Sequence, residues 1–296
     1  MRALATAVFA ILIAVLPAIA PQYFTFELTY AGAYAIAILG LVILTGRTGQ
    51  ISLGHGAFVA VGAYTAAIAS QAGISYAVAV PLAAVLAGAL GLVLGIVALR
   101  LAGAYLALAT FALATSVPPL FKRFGSITGG AQGMTIPPHP QIVLYYLTWI
   151  SAAALFAVAY FALRGRIGLS LRALRDSEIA AISFGVNPVL YKSLAFGWSA
   201  AYAGVAGAFI ALSTAYVSPD GYGVALSLTL LVGAVIGGLD IVWGAIVGAL
   251  VIEFLPLWSQ AINPALTSIV YGIALILIMT FMPGGIAGSL RRHHES

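Results

Sequence analysis

His55 and Glu253 both stand inside long apolar runs of this 296-residue chain. An ionisable side chain at membrane depth is costly, and it usually faces a bundle interior or a wet cavity. His55 could line a path, orient the backbone around it, or carry a proton. Its plainest role is a neutral histidine making two structural hydrogen bonds, because burial disfavours the charged form. Glu253 is most simply a hydrogen-bonded packing residue near the outer interface. Asp240 follows Gly237-Gly238 in a turn, where capping the next helix suffices to explain it. No convergent nucleophile, metal-ligand cluster or carboxylate pair is visible, so the sequence offers neither a catalytic nor a metal site. Cysteine is absent, which removes thiolate metal chemistry. The phosphate-loop pattern G-x-x-x-x-G-K-[ST] is absent as well, so any nucleotide that drives this protein is bound by another chain.

The elements that position His55 are unusual. Residues 45–67 read TGRTGQISLGHGAFVAVGAYTAA, with Gly46, Gly49, Gly54, Gly56 and Gly62 crowded among Gln50, Ser52 and His55. Backbone at membrane depth must satisfy its own polar groups unless protein or a wet cavity surrounds it. A glycine-polar break between apolar runs therefore predicts a packed element that avoids lipid, beside a translocation path. Gln50, Ser52, Gly54, His55 and Gly56 are the candidate path residues.

Hydrophobic residues make up 63% of the chain and charged residues 6%, against about 25% charged in a typical soluble domain. The class is an all-α polytopic membrane protein, a single permease-like domain over 1–296. About ten spans are expected, at 3–20, 28–46, 50–70, 76–99, 102–121, 142–163, 193–217, 224–239, 243–260 and 264–283. With the N-terminus in the cytoplasm, ten of the twelve Lys and Arg fall in inner loops and only Lys122 and Arg123 outside. This bias places both termini on the cytoplasmic side of the cell membrane. The net charge of +5 thus belongs to loops and gives no reason to expect nucleic acid. Residues 1–20 form a first span or, since Ala18-Ile19-Ala20 suits cleavage, a signal segment. Small residues at Gly88-Gly91-Gly95, Gly204-Gly207 and Gly244-Gly248 predict tight helix packing.

The longest polar segment, 164–192, reads RGRIGLSLRALRDSEIAAISFGVNPVLYK. Ser177 can cap a short helix over 178–184, Glu178 suits its positive end, and Gly185 can stop it. Pro188 would hinder its continuation. So short a helix needs a docking surface, to which Ile179, Ile182 and Phe184 would contribute.

GQISLGHGAFVAVGAYTAA at 49–67, RLAGAYLALATFALA at 100–114, TGGAQGM at 128–134 and RALRDSEIAAISFGVNPVLYKSLAF at 172–196 occur in that order. Together they resemble the permease subunits of branched-chain amino-acid ABC importers, in the LivM-like branch rather than the LivH-like one. The resemblance runs from about residue 40 to 288. It implies that 164–192 is a cytoplasmic coupling loop seated in a groove of an ATPase subunit, with Arg172, Arg175, Glu178, Ala180, Ala181 and Gly185 as the contact region. ABC importers mark this loop with an EAA motif and a glycine three residues on. Here Ile179-Ala180-Ala181 precede Gly185 at that spacing, and the glutamate is displaced to Glu178. The implied partners are a second homologous permease, two cytoplasmic ATPase subunits that carry the ATP, an external substrate-binding protein and membrane lipid. The resemblance leaves the substrate open among branched-chain amino acids, other amino acids and urea-like amides. An ion-coupled secondary transporter using His55 or Glu253 is the competing expectation.

Overall fold

A chain this apolar must close its backbone hydrogen bonds within each crossing segment, and the helix is the simplest way to do so. In the computed structural model, residues 21–98, 101 and 103–262 are described, together with 13, 16, 17, 272, 273, 276, 277, 280 and 284–288. Helix α1 spans Gln22–Leu41 and widens into a π turn at Val42–Gly46. It is followed by α2 (His55–Gln71), α3 (Tyr76–Ala98), α4 (Ala104–Arg123) and α5 (Gln141–Arg164). Two shorter helices, α6 (Arg166–Asp176) and α7 (Glu178–Ser183), lead into α8 (Pro188–Thr214), α9 (Val224–Gly237) and α10 (Gly244–Ile262). A two-residue antiparallel ribbon joins β1 (Met134–Thr135) to β2 (Tyr216–Val217).

Six helices among the described residues are long and apolar enough to cross a membrane. The expected total of about ten is not reached by this count. Spans 3–20 and 264–283 lie for the most part outside the described residues, as do Arg2, Arg100, Arg291 and Arg292. The expected helix over 50–70 is a second difference: the chain is irregular from 49 to 54 and becomes helical only at His55. Third, α8 begins at Pro188, five residues earlier than expected. Proline fits the first turn, where its missing N–H costs nothing, and Asn187 caps it by accepting from the Leu190 N–H at 3.2 Å.

Helices α1 and α8 form the axis of the bundle, with 89% and 83% of their apolar windows buried, against 28% for α3 and 22% for α4. A helix that is apolar all round belongs in such a centre. The axis packs closely because its contact positions are small. Gly88, Gly91 and Gly95 of α3 lie on Ala201, Ala200 and Phe196 of α8, and Gly62 of α2 meets the backbone of Gly204. Helices α1 and α8 run antiparallel. Tyr30 and Tyr34 lie near Thr214 at the ribbon end. Gly40 lies on Ser199, whose hydroxyl donates to the Gly40 carbonyl at 2.6 Å. At the opposite end Gly46 reaches Leu239, Asp240 and Arg175 are joined, and the polar helices α6 and α7 are attached.

Any Cβ at Gly62 would overlap the Gly204 carbonyl oxygen, which cannot swing away as a side chain can. Gly62→Ala is expected to cost about 1–3 kcal/mol through overpacking, read as a lower unfolding midpoint in detergent. Gly165→Ala, whose added methyl meets only ordinary contacts, should stay within about 0.5 kcal/mol.

Candidate functional site

The break is a discontinuous span. Helix α1 descends through the π turn to 48 at the arginine end, and residues 49–54 turn back without helical structure. His55 then opens α2 against Gly40, where a Cβ would come within 3.2 Å of its Nε2. Gly40 lies six residues above Gly46, so the non-helical segment climbs about 9 Å into the bundle. Helix α2 continues to the ribbon end, where the Gln71 side chain donates to the Thr135 carbonyl at 2.9 Å. Its 17 residues span about 25 Å.

Side chains from three elements satisfy the backbone of this segment. The Leu53 N–H donates to Thr110 Oγ1 of α4 at 2.9 Å, and the Gly54 N–H to Ser52 Oγ at 3.3 Å. The Gly56 N–H donates to Ser227 Oγ of α9 at 2.8 Å. Thr45 Oγ1 donates to the Gln50 carbonyl at 3.1 Å, and the Thr48 hydroxyl lies 3.1 Å from Gln50 Oε1. Gly54 and Gly56 are needed because a Cβ would strike the Thr110 carbonyl in one case and the Gly223 carbonyl in the other.

All five candidate path residues are therefore brought together, and all five are buried: Gln50, Ser52, Gly54, His55 and Gly56. Exposed surface in this stretch comes from Gly49 and Ile51. His55 is fully enclosed, edge-on to Phe58. Neither ring nitrogen completes a hydrogen bond of ordinary geometry, so the two structural bonds expected from its sequence context are not made. The backbone of Ala37 is the polar group turned toward it. Apolar packing on Gly40 holds the ring instead.

At the foot of the break lies a cluster that the sequence reading treated as separate loop charges. Arg47 is buried and donates through Nη2 to the Asp240 carbonyl at 3.0 Å. Burial, and then the nearby Arg172, push its guanidinium below the ordinary pKa, while Asp240 pulls it back. Arg175 of α6 donates through Nη1 to the Gly46 carbonyl and to Asp240 Oδ1. Asp240 thus pairs with Arg175 across the turn, where capping of the following helix was expected.

The polar segment 164–192 holds one helix more than expected. Leu171 and Leu174 of α6 are buried against the bundle, while Arg172 is exposed. Helix α7 ends at Ser183, one residue short of the expected 184. Ser177 Oγ accepts from the Ala180 N–H at 3.3 Å, as its position suggests. Gly185 adopts φ +82°, donating to Ile182 O at 2.9 Å while Val186 donates to Ala181 O at 3.0 Å. These two bonds close the helix in a left-handed cap that glycine accommodates without strain. Glu178, itself half-exposed, places its Oε2 2.6 Å from Lys192 Nζ at the start of α8. Ala180 is exposed, but Ala181 is buried against its own chain. Outward surface comes from Ile179, 82% exposed, and Phe184, 87% exposed, with Ile182 between them.

Two further charges find partners. Lys122 lies 2.7 Å from Asp220 at the ribbon end, which offsets one of the two cations that broke the loop pattern. Glu253 faces Glu27 of α1, and Tyr23 stands beside the same carboxylate. Glu27 went unnoticed in the sequence because span 28–46 was drawn to begin just after it. Near the same end, a cavity of about 200 Å³ is lined by Tyr30, Tyr34, Tyr216 and Tyr222 with Thr214 and Ser218, and by no charged side chain.

The family model described as "Branched-chain amino acid transport system / permease component" matches residues 23–279. The chain is 30% identical over 286 residues to the high-affinity branched-chain amino acid transport system permease protein LivM of Escherichia coli, covering 86% of this chain and 67% of the relative. It is 25% identical to LivH of the same organism (88% of this chain, 92% of the relative). It is 24% identical to BraD of Pseudomonas aeruginosa (88% and 93%). No solved structure matches the chain at a significant level.

Thr110→Val strands the part-buried Leu53 N–H of the break, and Ser227→Ala the buried Gly56 N–H at the start of α2. Each is expected to cost about 1–3 kcal/mol, measured as a fall in unfolding midpoint. Thr115→Val, which removes only an exposed bond within α4, should leave the midpoint within about 0.5 kcal/mol of the parent.

Proposed function

The chain belongs to the permease component family of branched-chain amino acid transport systems, and from that premise we propose that it is the membrane-spanning permease subunit of an ATP-driven importer. Its substrates are branched-chain or related amino acids. It works with a second homologous permease, two ATPase subunits that hold the ATP, and an external substrate-binding protein, in the cell membrane with both termini cytoplasmic. The arginine end is cytoplasmic in this reading. The ribbon end faces outward, where Asp220 offsets the charge of Lys122.

One observation carries the proposal. A six-residue helix, capped at both ends and fastened by Glu178–Lys192, presents Ile179, Ile182 and Phe184 outward among charged side chains. Such a helix is too short to hold itself together in water, and among the described residues its apolar side chains stay exposed. A cleft on a cytoplasmic ATPase is the partner that this shape fits. Buried aromatic anchors of this kind dominate interface energies, with the surrounding charges setting register. The uncharged ribbon-end cavity is consistent with recognition of the substrate's charged groups by the external binding protein.

Mechanically, closure of the ATPase pair displaces α6 and α7, and the bundle rocks between outward-open and inward-open arrangements. The buried break is the moving part in this scheme, since its polar side chains face protein in the arrangement seen here. No bond is made or broken on this chain.

Phe184→Asp removes the anchor and should weaken capture of the ATPase subunits by about 2 kcal/mol, roughly thirtyfold in Kd, measured by co-purification and titration of the assembled importer. ATP-dependent leucine, isoleucine or valine uptake into vesicles falls with it. With ATP clamped, an uncoupler should leave uptake intact. Collapse of uptake under those conditions would instead identify an ion-coupled carrier working through His55 or Glu253.

A further inference from the structure

The guanidinium of Arg175, partly exposed, turns back onto its own chain. It touches two separate elements there. One is the Gly46 carbonyl, the last of the π turn that closes α1; the other is the Asp240 carboxylate in the α9–α10 turn. The aliphatic stem of the same side chain passes Gly49, where a Cβ would stand 3.5 Å from Arg175 Cγ. Arg47, buried beneath it, donates to the Asp240 backbone at 3.0 Å and so holds the turn against the start of the break. Gly46 itself packs on Leu239 so closely that no side chain would fit. Residues 46–49 and 239–240 are thereby one packed unit, and Arg175 is the side chain that fastens α6 to it.

We propose that Arg175 is the positioning residue that transmits movement of the coupling segment to the extended break. This deepens the functional reading above and rests on it. Coupling between distant sites needs a continuous chain of packed or bonded groups with two arrangements. Here the chain runs from the outward knob of α7 through α6 to Arg175, then to Gly46 and along 47–54 to His55. A cation at a helix C-terminus satisfies a carbonyl that has no partner within the helix, and it is favoured there by the helix dipole. Glu178–Lys192 cannot do the same work, because it ties α7 to α8 and reaches no residue of the break. Arg172 is exposed and makes no hydrogen bond or ion pair among the described residues.

The half-exposed setting of the pair separates coupling from stability. An isolated ion pair near solvent adds little to stability, so its loss should leave the fold and assembly intact and show itself in the work done per ATP. The test uses the complete importer in vesicles, carrying Arg175→Ala, Arg175→Lys or Asp240→Asn. ATPase subunits should co-purify as with the parent, and stimulated ATP hydrolysis should persist. Leucine taken up per ATP should fall about tenfold for Arg175→Ala, a usual size for coupling between sites. Arg175→Lys, which can keep one of the two contacts, should fall less.

The native chain has no cysteine, so a thiol pair gives a second readout. Arg175→Cys with Asp240→Cys should lose coupling, and a short bifunctional thiol reagent should restore it. Uptake and hydrolysis falling in proportion, uptake per ATP unchanged in all three variants, or a crosslink that restores nothing would each overturn the assignment. Failure of the parent importer to bind ATPase subunits would instead overturn the functional reading beneath it.

Discussion

Everything in this bundle is arranged around one constraint: the backbone between Gly46 and His55 leaves the helical path within an apolar protein, and its polar groups must still be met. Water could do this at the surface, and a second strand could do it in a sheet. Here the work falls to hydroxyls projected from α4 and α9, and to the break's own Thr45, Thr48, Gln50 and Ser52. That requirement dictates which helices can sit beside the break and how near they come. It explains why Gly54 and Gly56 lie against carbonyls of Thr110 and Gly223. It also explains why the neighbouring α1 and α8 are so fully enclosed: they shield a segment that lipid could not accommodate.

The polar end follows from a different balance. Helices α6 and α7 are too short to persist without tertiary support, so each is pinned. Leu171 and Leu174 hold α6 down, Arg175 ties it to the break, Ser177 and Gly185 close the ends of α7, and Lys192 secures Glu178. Every polar attachment points inward or sideways. Among what remains facing outward are Ile179, Ile182 and Phe184, a knob whose rigidity comes from contacts on its other side. A pinned knob of this kind loses little conformational freedom on docking, because most of the ordering is already present before a partner arrives.

Much of this was legible in the sequence. Long apolar runs located most of the spans, and the density of glycine and polar residues at 45–67 located the break, because each signal is local. The resemblance to LivM-like permeases rested on equally local motifs. The cap at Ser177 and the stop at Gly185 were readable for the same reason. What escaped was set by residues far apart in the chain. The Arg175–Asp240 pair spans 65 positions and Lys122–Asp220 nearly a hundred, so no window could join them. Glu27 was hidden by a boundary drawn a single residue too late. The helical start of 50–70 was misplaced because apolar content marks depth in the membrane and says nothing about whether backbone there is helical or extended. The amphipathic α6 was missed because its arginines drew the eye to charge, although Leu171 and Leu174 carry the helical spacing that buries them.

In the proposed scheme the break moves, and the chemistry of the hydroxyl group lets it do so without damage to its neighbours. A serine or threonine hydroxyl has one proton to donate and two lone pairs to accept with. Thr110 lies within bonding distance of the Leu106 and Ala107 carbonyls, at 3.1 and 3.0 Å, so its proton can stay on its own helix while a lone pair receives the Leu53 N–H. Ser227 is placed in the same way between the Gly223 carbonyl and the Gly56 N–H. When the break withdraws, both helices keep their donors satisfied and lose only an acceptor role, the cheaper of the two to leave vacant. The cost of movement then falls almost wholly on the break's own N–H groups. A backbone-to-backbone ladder would have left unmet groups on both sides. In that scheme, side-chain hydroxyls hold the segment in place and release it without unravelling the helices that carry them.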